Sequence, residues 1–299
     1  MPHLVDCERL CDPLASRKFF HTAWRLIIKS PTNDTATPRL AASSYLNSAP
    51  LLWSFTRGSR EGSVNLQDAV PAVCADKLRL ADVDAALIPV IEYQRIRGGA
   101  LVPDVCVGAR ERVRSVVLVT RAQSLRELRT IALDDSSRTS ATLLKVIFRE
   151  FLKLEPEWVR KSPDIKSMLA ENDGALMIGD PAMMFERNNL QVFDLATLWR
   201  EHTGLGFVFA MWMVGEHASP AIRNVDFAQA RDEGVARVEE IVDFYEPLLG
   251  LSRAELRIYL LENISYSLNE EMRAGMNLYF KLAHKHGLLD ELKRLVYFQ

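Results

Sequence analysis

Hydroxyl and amide side chains cluster at three places where a predicted strand passes into a predicted helix. The first cluster follows a strand at Arg39–Ser44 and precedes a helix that begins near Pro50; its polar members are Ser43, Ser44, Tyr45, Asn47 and Ser48. Ser48 is placed to cap the helix, and proline suits a first helical turn. Free N–H groups and the helix dipole together attract a carboxylate or phosphate. An ordinary strand–turn–helix connection without a ligand is the alternative.

The second cluster combines four hydroxyl groups with a guanidinium ahead of a strong predicted helix. It follows a strand at Thr130–Asp134 and consists of Asp135, Ser136, Ser137, Arg138, Thr139 and Ser140. Arginine can hold a carboxylate through two parallel hydrogen bonds, and hydroxyl groups add short donors. The cluster therefore predicts a more specific anion site than the first. The structural alternative is a capped helix in which Arg138 pairs with Asp134 or Asp135.

The third cluster is the pair Gly179 and Asp180, between a strand at Ala175–Gly179 and a helix that starts at Pro181. Glycine permits close approach of another backbone or ligand, and Asp180 either caps the helix or directs its carboxylate into a cleft. In α/β proteins, ligands bind beyond the carboxyl ends of the strands. The three clusters together predict a site for a small anion with more than one carboxylate.

Motifs for several other kinds of site do not occur in the sequence. It contains no GxGxxG, GxxxxGK[ST] or GxSxG motif, and its six histidines lack metal-ligand spacing. The four cysteines are too few and too scattered for a disulfide framework, and no second pair completes a zinc site. We therefore expect reduced, unpaired thiols at Cys7, Cys11, Cys74 and Cys106.

The composition is that of an ordinary globular protein. Among 299 residues, 48% are apolar and 25% are charged, and 37 basic against 39 acidic side chains give a net charge of −2. Nothing in this balance indicates a basic surface for nucleic acid or for a membrane. No apolar run reaches the roughly 20 residues of a membrane span, and the N-terminal stretch makes a poor signal peptide. We expect a cytoplasmic protein.

The elements that carry the clusters alternate between strands and helices from Arg39 onward. Apolar runs at Asp84–Val90, Arg114–Thr120 and Phe207–Val214 predict buried strands, and only helices follow Ser219. This alternation predicts an α/β fold with mostly parallel sheets, and the length suits two lobes with a ligand cleft between them. The predicted organisation is a poorly ordered N-terminal extension (1–38), lobe one (39–120 and 208–299) and lobe two (121–207).

Six motifs, in this order, resemble the chorismate dehydratase family of the futalosine route to menaquinone: SYLNSAPL, DAALIPV, VGARERVRSVVLVT, ALDDSSRTS, LMIGDPAM and LWREHTGLGFVFAMW. The resemblance runs from about Arg39 to the C-terminus. It implies a type II periplasmic-binding-protein-like fold. It also implies a hydro-lyase that converts the dicarboxylate chorismate to 3-[(1-carboxyvinyl)oxy]benzoate and water, as a monomer or homodimer, without a metal ion or other cofactor.

The resemblance assigns roles to residues of the three clusters. Asn47 and Ser115 match the family's catalytic asparagine and strand serine, and Asn47 would orient the substrate or stabilise developing charge. The positions expected to contact substrate are Tyr45, Ser137, Arg138, Thr139, Ser140, Gly179 and Asp180. The chain departs from the family at Gly206, where the loop motif has proline, and this difference predicts a less stiff loop.

Two alternatives share the expected fold. The 1,4-dihydroxy-6-naphthoate synthase of the same pathway typically carries a His–Glu pair where this chain has Gly179 and Asp180. A solute-binding protein for small anions would carry an export signal or lipobox if it served a transporter, and neither is recognisable here. Both differences favour the dehydratase.

Overall fold

The computed structural model describes residues 37–299, so the predicted extension (1–38) lies outside the described residues except for its last two positions. Two five-stranded sheets organise this part of the chain. The strands are β1 (Arg39–Ala42), β2 (Asn65–Asp68), β3 (Ala85–Pro89), β4 (Ala100–Ala109), β5 (Val116–Thr120), β6 (Thr130–Asp134), β7 (Glu157–Lys161), β8 (Gly174–Ile178), β9 (Gln191–Asp194) and β10 (Phe207–Val214).

The helices cover the faces of both sheets and form the C-terminal segment. They are α1 (Ala49–Arg57), α2 (Pro71–Arg79), α3 (Ile91–Arg95), α4 (Arg138–Val146), α5 (Ile165–Glu171), α6 (Pro181–Met184), α7 (Leu195–Thr203), α8 (Phe227–Ala236), α9 (Val238–Leu249), α10 (Arg253–Ile258) and α11 (Glu270–Lys285). Short 3₁₀ turns occupy Leu46–Ser48, Leu125–Glu127 and Pro220–Asn224. Two π-helical segments, Ile147–Leu152 and Tyr259–Asn263, continue α4 and α10.

The two sheets have equivalent strand orders, β2-β1-β3-β10-β4 and β7-β6-β8-β5-β9. In the first sheet β10 runs antiparallel to β3 and β4, and in the second β5 runs antiparallel to β8 and β9. The sheets are therefore mixed rather than mostly parallel as predicted. The reversed strand in each sheet is the one that arrives from the other sheet, and a strand that enters from the opposite lobe runs against its neighbours.

The crossings between the sheets define the two lobes. Because β5 pairs with β8 and β9 of the second sheet, the chain leaves the first sheet between Ala109 and Val116, earlier than the predicted crossing near Thr120. It returns at Phe207, where β10 begins, close to the predicted return. At Gly206 an added Cβ atom would lie only 3.0 Å from the Ala109 carbonyl oxygen. Close packing at this crossing therefore leaves little room for a side chain at this position.

Buried strands form the centre of each lobe. Every residue of β3, β5 and β8 is buried, as expected for strands that helices cover on both faces. A large apolar core that includes residues of both sheets fills most of the space between these layers, and a smaller cluster around Val117, Ala132 and Met177 lies within lobe two. The core holds two of the predicted thiols, Cys74 and Cys106, in free form, and burial raises the pKa of Cys106 to about 12. Cys7 and Cys11 lie outside the described residues.

Side chains that could ligate a metal ion are dispersed over the described part of the chain. Within 37–299 no three His, Cys, Asp or Glu side chains lie close enough together to hold a metal ion. In the same range, none of the helices is both long and apolar enough to cross a membrane.

Candidate functional site

The carboxyl ends of the strands of both lobes meet at a small cavity of about 60 Å³. The three predicted clusters line it through Ser43, Tyr45, Asn47, Ser48, Ser137, Arg138, Thr139, Ser140 and Gly179. Its apolar walls come from the central strands and the residues beside them, among them Leu87, Pro89, Val107, Val116, Ile178 and Phe209. Of the predicted site residues, Ser115 and Asp180 do not line the cavity; both are buried. The fold therefore brings the three clusters together.

The first cluster begins a helix earlier than predicted, and a carboxylate from the other lobe binds its N-terminus. A 3₁₀ turn at Leu46–Ser48 precedes α1, and the Leu46 N–H donates to the Asp180 carboxylate at 3.0 and 3.3 Å. Ser48 has helical backbone angles and does not cap α1; its hydroxyl donates instead to Asn47 Oδ1 at 3.1 Å. The predicted Ser48 cap is wrong, and the preference of this N-terminus for an anion is satisfied by Asp180.

Gly179 allows the two lobes to approach closely at this point. Its φ is +65°, in the left-handed region, and its N–H donates to the Ser115 carbonyl at 2.8 Å. A Cβ atom on Gly179 would lie only 2.7 Å from the nearest carbon of the Tyr45 ring. The ring of Tyr45 from lobe one therefore packs directly on the backbone of lobe two.

The hydroxyl of Tyr259 connects Ser115 with the first cluster. The phenol donates to Ser115 Oγ at 2.7 Å, and both side chains are fully buried. Burial raises the pKa of Tyr259 well above its usual value, whereas hydrogen bonds with Ser115 and Asn47 lower it. Tyr259 was not predicted as a site residue from the sequence, since the apolar stripes of the C-terminal helices indicate only core contacts. A tyrosine in such a stripe is the one available signal, because a buried phenol needs a polar partner.

Two hydroxyl groups of the second cluster have no hydrogen-bond partner in the described part of the chain. Within residues 37–299 no hydrogen bond involves the hydroxyls of Ser137 and Ser140, and α4 begins without a side-chain cap. Thr139 differs, because its hydroxyl accepts the Ile91 N–H at 3.3 Å. Ser136 donates to Asp134 at 2.6 Å and does not line the cavity. Ser137, Ser140 and the free N–H groups of α4 are thus the donors available to an anion.

Arg138 joins the two lobes through carboxylates of the protein. Its guanidinium donates to Glu92 at 2.8 Å and to Asp76 at 2.7 Å, and both partners belong to lobe one. The structural alternative from the sequence named Asp134 or Asp135 as the partner, and neither is. Since each terminal nitrogen donates to a carboxylate of lobe one, the Arg138 guanidinium pairs with carboxylates of the protein in this closed arrangement.

The ionisation of Asp180 predicts a specific pH dependence of stability. Burial raises the pKa of Asp180 to about 7, although the Leu46 N–H opposes this rise. The unfolded chain loses this proton near pH 4, so the folded protein is destabilised progressively as the pH rises towards 7. At about 1.4 kcal/mol per pKa unit the cost is on the order of 4 kcal/mol. We expect urea denaturation to show this decrease between pH 4 and 8 for the wild type relative to Asp180→Asn; parallel pH curves would contradict it.

Solved structures with similar folds come from very different organisms. A crystal structure of an Archaeoglobus fulgidus protein superposes with a TM-score of 0.69 at 18% identity, covering 86% of this chain and 100% of that one. A Candida albicans gene product, described as having the generic periplasmic binding protein structural fold, superposes with a TM-score of 0.62 at 12% identity, covering 88% of this chain and 97% of that one. The chain has a two-lobed periplasmic-binding-protein-like fold.

Sequence comparison places the chain more narrowly. The chorismate dehydratase of Thermus thermophilus is 32% identical over 251 residues, which cover 78% of this chain and 90% of the relative. A family model described as menaquinone biosynthesis matches residues 38–285, a range that holds both sheets and all three clusters. The chain therefore belongs to the menaquinone biosynthesis family.

Proposed function

We propose that this protein is a chorismate dehydratase, a lyase that converts chorismate to 3-[(1-carboxyvinyl)oxy]benzoate and water in the futalosine route to menaquinone. The observation that carries this proposal is that hydrogen-bonding groups of both lobes line one cavity. Lobe one contributes the Ser43 hydroxyl and the Asn47 amide, and lobe two contributes Ser137, Ser140 and the N-terminus of α4. The N-terminus of α4 suits one carboxylate of chorismate, and the Ser43 and Asn47 side chains can donate to the other.

The reaction requires placement more than it requires a strong base. The C3–H bond of the ring breaks, its electron pair forms the new ring double bond, and the C4 hydroxyl leaves with its bonding pair. The enolpyruvyl carboxylate of the substrate can take the C3 proton, and the departing hydroxyl becomes water with that proton. Aromatisation provides the driving force. The task of the protein is then to hold the reacting groups together and to stabilise charge, and both effects can be large.

Different residues of the site bind the substrate, stabilise the developing charge and exclude water. The Asn47 amide can donate to the charge that develops as the C3 proton is removed. Ser115 does not line the cavity, but its carbonyl oxygen accepts the N–H of Gly179, which does. The hydroxyls of Ser137 and Ser140 and the α4 N–H groups bind a carboxylate without any added cation. Apolar walls, including Phe209 and Ile178, exclude water from the reacting carbons.

Substrate binding requires that the lobes separate. A cavity of about 60 Å³ is much smaller than the roughly 300–1,000 Å³ of pockets that enclose small-molecule ligands. The contacts that cross the cleft include the hydrogen bonds of Leu46 with Asp180 and of Arg138 with Asp76 and Glu92, and the Tyr45 ring also packs on Gly179. Exchange of these hydrogen bonds for water, together with separation of Tyr45 from Gly179, would accompany opening at the two crossings.

The direct test is incubation of the purified full chain with chorismate alone, followed by mass spectrometry and ultraviolet spectroscopy. We expect a product that has lost one water and absorbs as an aromatic acid. Unchanged chorismate, from protein whose circular dichroism shows it to be folded, would overturn the proposal. Tight binding of chorismate without turnover would favour the solute-binding alternative.

The Arg138→Ala variant tests how the second cluster contributes. Loss of the bridge to Asp76 and Glu92 weakens the closed arrangement, so we expect KM for chorismate to rise by roughly tenfold with a smaller change in kcat. Asp76→Ala is the matched variant. If Arg138 acts by joining the lobes, Asp76→Ala raises KM as well; if Arg138 binds substrate directly, Asp76→Ala frees the guanidinium and KM falls or stays the same.

A further inference from the structure

The C-terminal segment reaches the crossing between the lobes with two side chains one helical turn apart. Glu255 of α10 accepts a hydrogen bond from the Arg114 guanidinium at 2.7 Å. Tyr259, four residues later, donates to Ser115 at 2.7 Å. Arg114 and Ser115 are consecutive and lie directly before β5, in the crossing from lobe one to lobe two. Helix α10 and its π-helical continuation therefore fix the point at which the second sheet begins.

Local geometry indicates that this fixation has more than a packing role. Tyr259 opens the π-helical segment Tyr259–Asn263, and π-helical turns are rare and occur often at functional sites. Arg114 has a φ of +64°, an uncommon conformation for a residue other than glycine. The backbone at the crossing is also held by Asp194, whose carboxylate accepts the Arg114 N–H at 2.6 Å. The contacts hold one defined conformation immediately beside the cavity.

We propose that Tyr259 is a positioning residue of the active site, whose hydroxyl holds Ser115 at the crossing to lobe two and Asn47 of lobe one in the arrangement needed for catalysis. The inference rests on the proposed dehydratase function and extends it to a residue outside the three clusters. The phenol donates to Ser115 Oγ at 2.7 Å, and the Asn47 side chain interacts with the phenol oxygen. The Ser115 carbonyl accepts the Gly179 N–H of lobe two, so Ser115 moves with that lobe, and the phenol contacts both residues only when the cleft is closed. Tyr259 thus couples closure to the orientation of the Asn47 amide.

The test compares Tyr259→Phe with Tyr266→Phe. Each variant removes one buried phenol oxygen, but the Tyr266 hydroxyl has no hydrogen-bond partner in the described chain. For Tyr259→Phe we expect kcat with chorismate to fall by about 10- to 100-fold with KM changed by less than about twofold. For Tyr266→Phe we expect both constants within about twofold of the wild type. Melting temperatures of both variants verify folding.

A double variant and a spectrum make the test decisive. In the Ser115→Ala background, Tyr259→Phe should cost less than it does alone, because the two groups act as one unit. Full multiplication of the two losses, or a Tyr259→Phe kcat within twofold of the wild type, would overturn the inference. The Asn47 side-chain amide signal, identified in an NMR spectrum by its loss in Asn47→Ala, should shift in Tyr259→Phe and not in Tyr266→Phe. The NMR signal of Asn47 can be measured without turnover. A wild-type protein that does not convert chorismate would therefore refute only the proposed dehydratase function. An Asn47 signal that does not shift in Tyr259→Phe would refute the positioning role of Tyr259.

Discussion

Replacement of Asn47 by alanine is expected to lower kcat for chorismate by roughly 100- to 1,000-fold, the usual loss when one preorganised donor is removed from developing charge. Asn47 lies in the short turn between β1 and α1, lines the cavity and is partly exposed to it. The side-chain carbonyl oxygen of Asn47 accepts a hydrogen bond from the Ser48 hydroxyl. This contact orients the side-chain amide so that its NH₂ group can donate to the substrate. The side chain fills no core space, so the melting temperature should change little.

Two further variants separate the donor from other properties of Asn47. Asn47→Asp has nearly the same shape but replaces the donor with a negative charge beside the substrate carboxylates, and it should be at least as inactive as Asn47→Ala. Asn277→Ala removes an amide from the exposed surface of α11 and should retain wild-type kinetics. Steady-state kinetics and thermal melts of the three variants complete the measurement. A kcat of Asn47→Ala close to that of the wild type would remove Asn47 from the site.

The strongest sequence patterns predicted the elements that position the site. β5 and β10 are apolar runs rich in β-branched or large side chains, and both form near their predicted bounds. The alternation of strands and helices also led correctly to a two-lobed fold. The direction of β5 and β10 was not predictable in the same way, because a residue pattern within one strand contains no information about the neighbour on which it pairs.

Short edge strands escaped prediction for a related reason. β2 and β7 pair only with β1 and β6, and their sequences, NLQD and EWVRK, are polar and have no extended apolar alternation. Exposed edges favour such charged and polar residues. These segments become strands because a central strand offers hydrogen bonds to them, which is a property of the folded sheet rather than of the segments.

The candidate site shows the same division between local and long-range information. The three clusters were visible because hydroxyls, glycine and proline mark the ends of strands and the starts of helices. The partners of these residues were not visible: Tyr259 lies 144 residues from Ser115, and Asp180 lies 134 residues from Leu46. Only the folded chain shows that Arg138 bridges two carboxylates of the protein. It also shows that Asp180 binds the helix start that the sequence predicts as a site for an anionic ligand.

Gly179→Ala is expected to produce the other large effect, a fall in kcat/KM of at least about 100-fold with a clear loss of stability. Alanine at a φ of +65° costs about 1–2 kcal/mol in backbone strain. Its methyl group would also lie 2.7 to 3.0 Å from three carbons of the Tyr45 ring, closer than carbon atoms can approach. Since Gly179 and Tyr45 belong to different lobes, relief of the contact pushes the lobes apart and misplaces the Asn47 turn.

Gly204→Ala separates the two costs, because Gly204 has a φ of +72° but a methyl group added there would meet no atom of another part of the described chain within 4 Å. It should lose about the same 1–2 kcal/mol in urea denaturation and keep nearly wild-type kinetics. If the Tyr45 ring causes the effect, the double variant Gly179→Ala/Tyr45→Ala should be more active than Gly179→Ala alone. Kinetics of Gly179→Ala equal to those of Gly204→Ala would show that strain alone acts at Gly179, and that the closed contact between its backbone and Tyr45 is not needed for catalysis.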